Sequence, residues 1–163
     1  MELLDLYNDD GNKLNETIVR GEKIPVGKNV MLSVAFIKNS KGQYLIQKAS
    51  PEKDNKYTST GGHVTHNEDG LTTIIRELAE EIGLSNIENK IKYITTFKYP
   101  TKPCVFNTYL LENIDLDVST LELQVEEVEE VMWLNTDEIN DLIKKDLFLE
   151  SHAYIFNKYI IER

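Results

Sequence analysis

Glu77, Glu80 and Glu81 stand at i, i+3 and i+4 in the run RELAEEIGL. At about 100° per residue, that spacing sets their carboxylates on one face of a helix. Like charges so placed repel by about 0.2–0.5 kcal/mol per exposed i,i+4 pair. A helix that meets only water intersperses lysine or arginine, and Arg76 is the one cation close by. A doubly positive ion relieves the crowding, and clustered carboxylate oxygens suit hard cations such as Mg²⁺ or Mn²⁺.

The surrounding residues read as a device for positioning that face. Leu71, Ile74, Ile75, Leu78 and Ile82 fall within an arc of roughly 100°, the stripe of a core-facing helix. Gly61-Gly62 reads as a flexible loop with free backbone N–H groups, and Asp69 or Asn67 is placed to cap the helix start. Gly83 is placed to end it in the left-handed conformation. A glycine loop, a capped helix with three carboxylates and a glycine stop can hold a metal ion over a diphosphate.

These residues resemble the box of the Nudix hydrolase family, G-x5-E-x7-R-E-U-x-E-E-x-G-U, where U is bulky and apolar. Gly62, Glu68, Arg76, Glu77, Leu78, Glu80, Glu81, Gly83 and Leu84 match it throughout. Asn67 stands where the family often has glycine, and Asn is the next most tolerant residue for a positive φ. Ile74 and Ile75 replace the small residues common before Arg76, a change that bears on packing and not on the carboxylates. The resemblance implies an α+β fold of α/β/α sandwich type, with a mixed sheet between helices, a loop–helix–loop box and an N-terminal β-hairpin.

Composition narrows the function classes. The 163 residues suit one domain, 1–163, with residues 1–28 as a hairpin extension. A net charge of −10 argues against nucleic-acid backbone binding, because phosphates need a basic surface. It leaves room for a small phosphorylated substrate when a cation supplies local positive charge. The single cysteine, Cys104, fits a reducing cytoplasm and permits no intrachain disulfide. The acidic N-terminus lacks the pattern of a signal peptide, and no apolar run is long enough for a membrane helix.

Along the chain, residues 2–7 and 14–20 predict the arms of a hairpin around the turn Asn8-Asp9-Asp10-Gly11. Residues 30–37, almost wholly apolar, predict a strand buried on both faces, with 43–48 as its neighbour. The polar residues 49–60 read as a loop at the mouth of the site. Residues 91–98 and 105–111 predict antiparallel strands, and 125–134 a further strand. Helices are expected over 136–149, carrying Ile139, Leu142, Ile143 and Leu147 as a core face, and over 151–161. His152 reads as a surface or helix-end residue.

The resemblance implies metal-dependent hydrolysis of a nucleoside diphosphate linked to another moiety. Glu77, Glu80 and Glu81 would bind Mg²⁺ or Mn²⁺, and one of Glu126, Glu127, Glu129 and Glu130, with Glu127 put forward, would add a ligand or the general base. Arg76, Glu77 and Glu80 would carry catalysis, with Arg76 holding Glu77 or pairing with Glu68. Gly62, Glu68 and Gly83 would be structural, and Lys56, His63, Tyr99 and Phe106 would meet the substrate. Family hairpins often contribute to dimers, which leaves a homodimer open. Two rivals share the fold: an isopentenyl-diphosphate-isomerase-like enzyme and a non-catalytic nucleotide-binding module. The RGEK segment and GGHV loop are similar to the isomerase-like branch, yet no His precedes His63 and no Cys precedes Cys104, where that chemistry needs them.

Overall fold

The computed structural model describes residues 1–161. Its strands are β1 (Leu3–Tyr7), β2 (Lys13–Val19), β3 (Val30–Ile37), β4 (Tyr44–Ala49), β5 (Tyr57–Thr58), β6 (Thr60–His63), β7 (Ile91–Lys98), β8 (Cys104–Leu111) and β9 (Val128–Leu134). The helices are α1 (Gly70–Ile82), α2 (Thr136–Lys144) and α3 (Glu150–Ile155), the last continuing through a π-helical turn over Phe156–Ile160.

The sequence VMLSVAFI offers no polar side to water, and β3 is accordingly covered on both faces. It runs parallel to β8, from Val30 opposite Cys104 to Ile37 opposite Leu111, and antiparallel to β6. The resulting mixed sheet has the order β6-β3-β8-β7, and a second sheet has the order β5-β4-β9. Alternation along the strands sorts the core into two layers. Val34, Phe36, Tyr44 and Ile46 pack with Ile139 of α2 and with Ile155, Phe156 and Ile160 of the C-terminal helix. Ala35, Ile37, Leu45 and Leu111 pack with Ile74, Leu78 and Ile82 of α1. This is the expected α/β/α arrangement with its N-terminal hairpin, β1–β2.

Several local expectations need correction. Gly61 and Gly62 lie within β6, paired with Val34 and Ser33, and neither has a positive φ. Leu71 is 45% exposed, because the first turn of α1 points Gly70 and Thr73 inward instead. A side chain at Gly70 would run into the amide of Asn107, so that turn sits close against β8. Within 49–60, Tyr57 and Thr58 form β5 beside β4. Helix α2 starts on a capping box between Asn135 and Glu138 but stops at Lys144, since Asp146 takes a φ of 57°. Leu147, expected in the core, is exposed, and the chain from there runs beside Tyr57, which exchanges backbone hydrogen bonds with Leu147 and Leu149.

Candidate active site

Helix α1 begins where Asp69 accepts a hydrogen bond from the Thr72 N–H at 2.8 Å, and it ends at Gly83, whose φ is 70°. Asn67 has a φ of 68°, the left-handed conformation that its position was expected to take. The connection between β6 and α1 then turns Glu68 back onto the helix. Glu68 accepts from Arg76 at both carboxylate oxygens, Nε at 2.8 Å and Nη2 at 3.0 Å, and from the Thr73 hydroxyl at 2.7 Å. The Arg76 hydrogen bonds, aided by those from Thr73 and Thr65, outweigh burial and pull the Glu68 carboxyl down to about 2. Arg76 Nη1 also donates to Glu77 at 2.8 Å and to Glu80 at 3.3 Å. The arginine therefore contacts both Glu68 and Glu77.

Glu77 lies against the backbone of β6. A Cβ added at Gly62 would stand 2.5 Å from the Glu77 carboxylate, so only glycine admits that close approach. Gly61 is needed for a different contact, since a Cβ there would meet the Ser33 carbonyl at 2.9 Å and His152 at 3.1 Å. Glu81 is the most enclosed member of the carboxylate face. Gln47 orients towards it: the Thr60 hydroxyl donates to the Gln47 amide oxygen, and the amide nitrogen lies 3.4 Å from Glu81. Burial, and then the adjacent Glu77 charge, push the Glu81 carboxyl up to about 8. Glu77 is raised too, chiefly by burial.

The cleft beside these carboxylates is lined by Glu77, Glu80, Glu81 and Glu127, with Arg20 and Lys53 as its cationic side chains. Among the described residues, no three His, Cys, Asp or Glu side chains converge tightly enough to hold an ion in this arrangement. Arg76 lies on Glu77 and Glu80, and Lys53 pairs with Glu127 at 2.9 Å. The donor set nonetheless fits a hard cation. Burial raises the carboxyls of both Glu77 and Glu81, and with Glu80 and Glu127 on the same cleft they offer the oxygen ligands Mg²⁺ or Mn²⁺ takes.

The remaining candidates divide. His63 stands where the acidic cleft, an adjoining polar recess and an apolar pocket of about 300 Å³ meet. Burial, and next the Arg20 charge, pull its imidazole down to about 4, so it is neutral at pH 7. Tyr99 and Phe106 are buried in the core and also wall the apolar pocket, where they meet edge to face. Lys56 is not brought to the site. It reaches away to Asp146 at 3.5 Å, and Lys53 takes the place on the cleft. His66 binds Asp5 of β1 at 2.8 Å and so ties the hairpin to the loop before α1.

Two residues of the site lay beyond sequence reasoning. His152 is buried, not superficial, with Nδ1 2.7 Å from both the Thr58 and Ser59 hydroxyls, and it lines the polar recess. Burial pulls its imidazole down to about 4. Arg20 reaches the cleft from the end of the hairpin, where Nη1 meets Glu2 at 3.1 Å. No local pattern marks either residue, because each is placed by a contact distant in sequence.

Comparison with known proteins agrees with this geometry. The NUDIX domain family model matches residues 30–158. An uncharacterized Nudix hydrolase of Listeria innocua is 31% identical over 170 residues, covering 99% of this chain and 95% of its own length. The crystal structure of DR0079 from Deinococcus radiodurans has a TM-score of 0.73 at 25% identity, covering 88% of this chain and 90% of that one. A bifunctional NMN adenylyltransferase/ADP ribose pyrophosphatase of Francisella tularensis, complexed with AMP and a manganese ion, shares the fold. Its TM-score is 0.63 at 23% identity, covering 79% of this chain and 40% of that one. The chain belongs to the Nudix hydrolase family.

Proposed function

We propose that this protein hydrolyses a phosphoanhydride bond in a nucleoside diphosphate linked to another moiety, using Mg²⁺ or Mn²⁺ held by Glu77, Glu80, Glu81 and Glu127. The observation that carries the reading is geometric: Glu77, Glu80, Glu81 and Glu127 line one cleft against only two cationic side chains, one of which, Lys53, is paired with Glu127, so the cleft is short of positive charge. A bound divalent cation supplies that charge, offsets the diphosphate's own and makes water more acidic. The manganese bound to the Francisella neighbour supports the choice of ion.

Arg76 stays protonated and holds Glu77, so the ligand oxygens are oriented before substrate arrives. Glu80, half-exposed on the cleft, or Glu127 accepts the proton of the attacking water. The water oxygen bonds to phosphorus as the anhydride P–O bond breaks, and the bridging oxygen leaves with the second phosphoryl group. Two phosphorylated products result. The neutral His63 imidazole and the apolar pocket walled by Tyr99 and Phe106 receive the organic moiety.

The test is a panel of nucleoside diphosphate derivatives, including ADP-ribose and nucleotide sugars, incubated with Mg²⁺, with Mn²⁺ and with a chelator. Release of phosphorylated products that stops with chelator supports the hydrolase. Double-bond migration in isopentenyl diphosphate would indicate the isomerase, and saturable binding without turnover a sensor.

A further inference from the structure

We propose that Arg20 of the N-terminal hairpin anchors the substrate's phosphate at the mouth of the cleft, which makes the hairpin a substrate-recognition element. The inference rests on the hydrolase reading above and adds a residue to it. Its starting point is charge. Five carboxylates, Glu2, Glu77, Glu80, Glu81 and Glu127, line the acidic part of the cleft, against two cationic side chains. One of these, Lys53, is committed to Glu127. Arg20 meets Glu2 through Nη1 alone, at 3.1 Å, and half of its side chain is exposed. A guanidinium carries five N–H donors in a planar fork, so a phosphate and Glu2 can share it.

Placement is the second argument. Arg20 lines both the acidic cleft and the polar recess beside it, so it stands at the border where a phosphate next to the carboxylates would meet the recess. Its position is fixed from both sides. The Arg20 N–H donates to the Glu2 carbonyl at 2.9 Å, and the Glu22 carboxylate accepts from the Val19 N–H at 2.9 Å. The hairpin itself is clamped to the loop that leads into α1. The His66 N–H donates to the Leu3 carbonyl at 2.8 Å, and the Asn67 N–H to Asp5 at 3.2 Å. Arg20 lies outside residues 30–158, the part matched by the family model, so the box-bearing portion alone does not contain this cation.

Calorimetric titration of the full chain with α,β-methylene-ADP and with inorganic pyrophosphate, both in Mg²⁺, tests the assignment. Arg20→Gln is expected to raise Kd for both probes about 10- to 100-fold, the loss of charge-assisted hydrogen bonds. Arg20→Lys falls between it and the native chain, because charge remains and the fork is lost. Lys13→Gln removes a hairpin cation that pairs with Asp5 away from the cleft, and binds as the native chain does. The affinity for Mg²⁺ alone, and the melting temperature, stay at native values in Arg20→Gln. Unchanged Kd values in Arg20→Gln, or a native chain that binds neither probe, overturn the proposal. If the native chain binds the probes and hydrolyses none of the panel, the hydrolase reading falls while the anchor stands.

Discussion

Glu68, just before the start of α1, and Glu81, in its last turn, carry the same side chain, and their environments drive them in opposite directions. Glu68 has a bidentate arginine and two hydroxyls, is held near 2 and is charged at any ordinary pH. Glu81 has burial, a second carboxylate and one distant amide, and rises to about 8. A carboxylate whose partners are complete holds the fold together. A carboxylate left short of positive charge is available to a ligand, and its instability is what a cation would relieve. The first end of the helix therefore reads as structure, and the second as chemistry.

The largest effect is expected from Glu81→Gln. An amide fills the same space as the carboxyl without the charge that burial penalises, so the fold is expected to survive intact. Turnover with Mg²⁺ should fall by more than about 100-fold, since removing a ligand of the cation costs more than the roughly 10- to 100-fold of disturbing a ligand's outer-shell partner. Melting in the presence of chelator should stay at the native temperature or rise, because the amide carries no charge for burial beside Glu77 to penalise. Turnover within a few-fold of native would place the chemistry elsewhere in the cleft.

A pair of neighbouring glycines separates the same two roles. A methyl group at Gly62 meets the far end of the Glu77 side chain, which can swing away, whereas one at Gly61 meets the Ser33 carbonyl, which cannot. Gly62→Ala should therefore cost activity, about 10- to 100-fold through a displaced ligand, with little change in melting temperature. Gly61→Ala should cost about 1–3 kcal/mol of stability. Urea titration beside an initial-rate assay on both variants distinguishes them; equal losses in both measurements would erase the contrast.

The chemical end of the helix was legible because helical periodicity alone puts Glu77, Glu80 and Glu81 together, and Asn67, Asp69 and Gly83 punctuate it with local backbone preferences. Burial on both faces of β3 was likewise written in its unbroken apolar run. What escaped was anything fixed by distant pairing. Gly61-Gly62 reads as a flexible loop because glycine favours turns, yet here it permits close packing in a strand. Arg20 follows an ordinary polar strand, and its arrival at the cleft depends on β1 docking beside Thr65 and His66. His152 is brought beneath β5 and β6 by α3, and Lys56 is taken from the site by Asp146, a residue far along the chain.

The smallest effect concerns the structural end and appears as a pH dependence of stability. Glu68 is held near 2 in the folded protein and takes the ordinary carboxylate value of 4.5 when unfolded. Between those values the unfolded chain binds more protons, so stability rises with pH. The contribution of this carboxylate is complete above about pH 4.5 and disappears as pH falls towards 2. His152 and His63 act with the same sign in a higher window, since both fall to about 4 in the fold from an ordinary 6.5. Their contribution is complete above about pH 6.5 and is lost as pH falls towards 4. Glu68→Gln should lower stability at pH 7 by about 2 kcal/mol, the net worth of hydrogen bonds to a charged group. It should also flatten the urea midpoint below pH 4.5 while leaving the slope between pH 6.5 and 4.5 intact. If instead the variant flattened the upper window, Glu68 would not be the low-pH carboxylate, and the two ends of the helix would differ less than their partners imply.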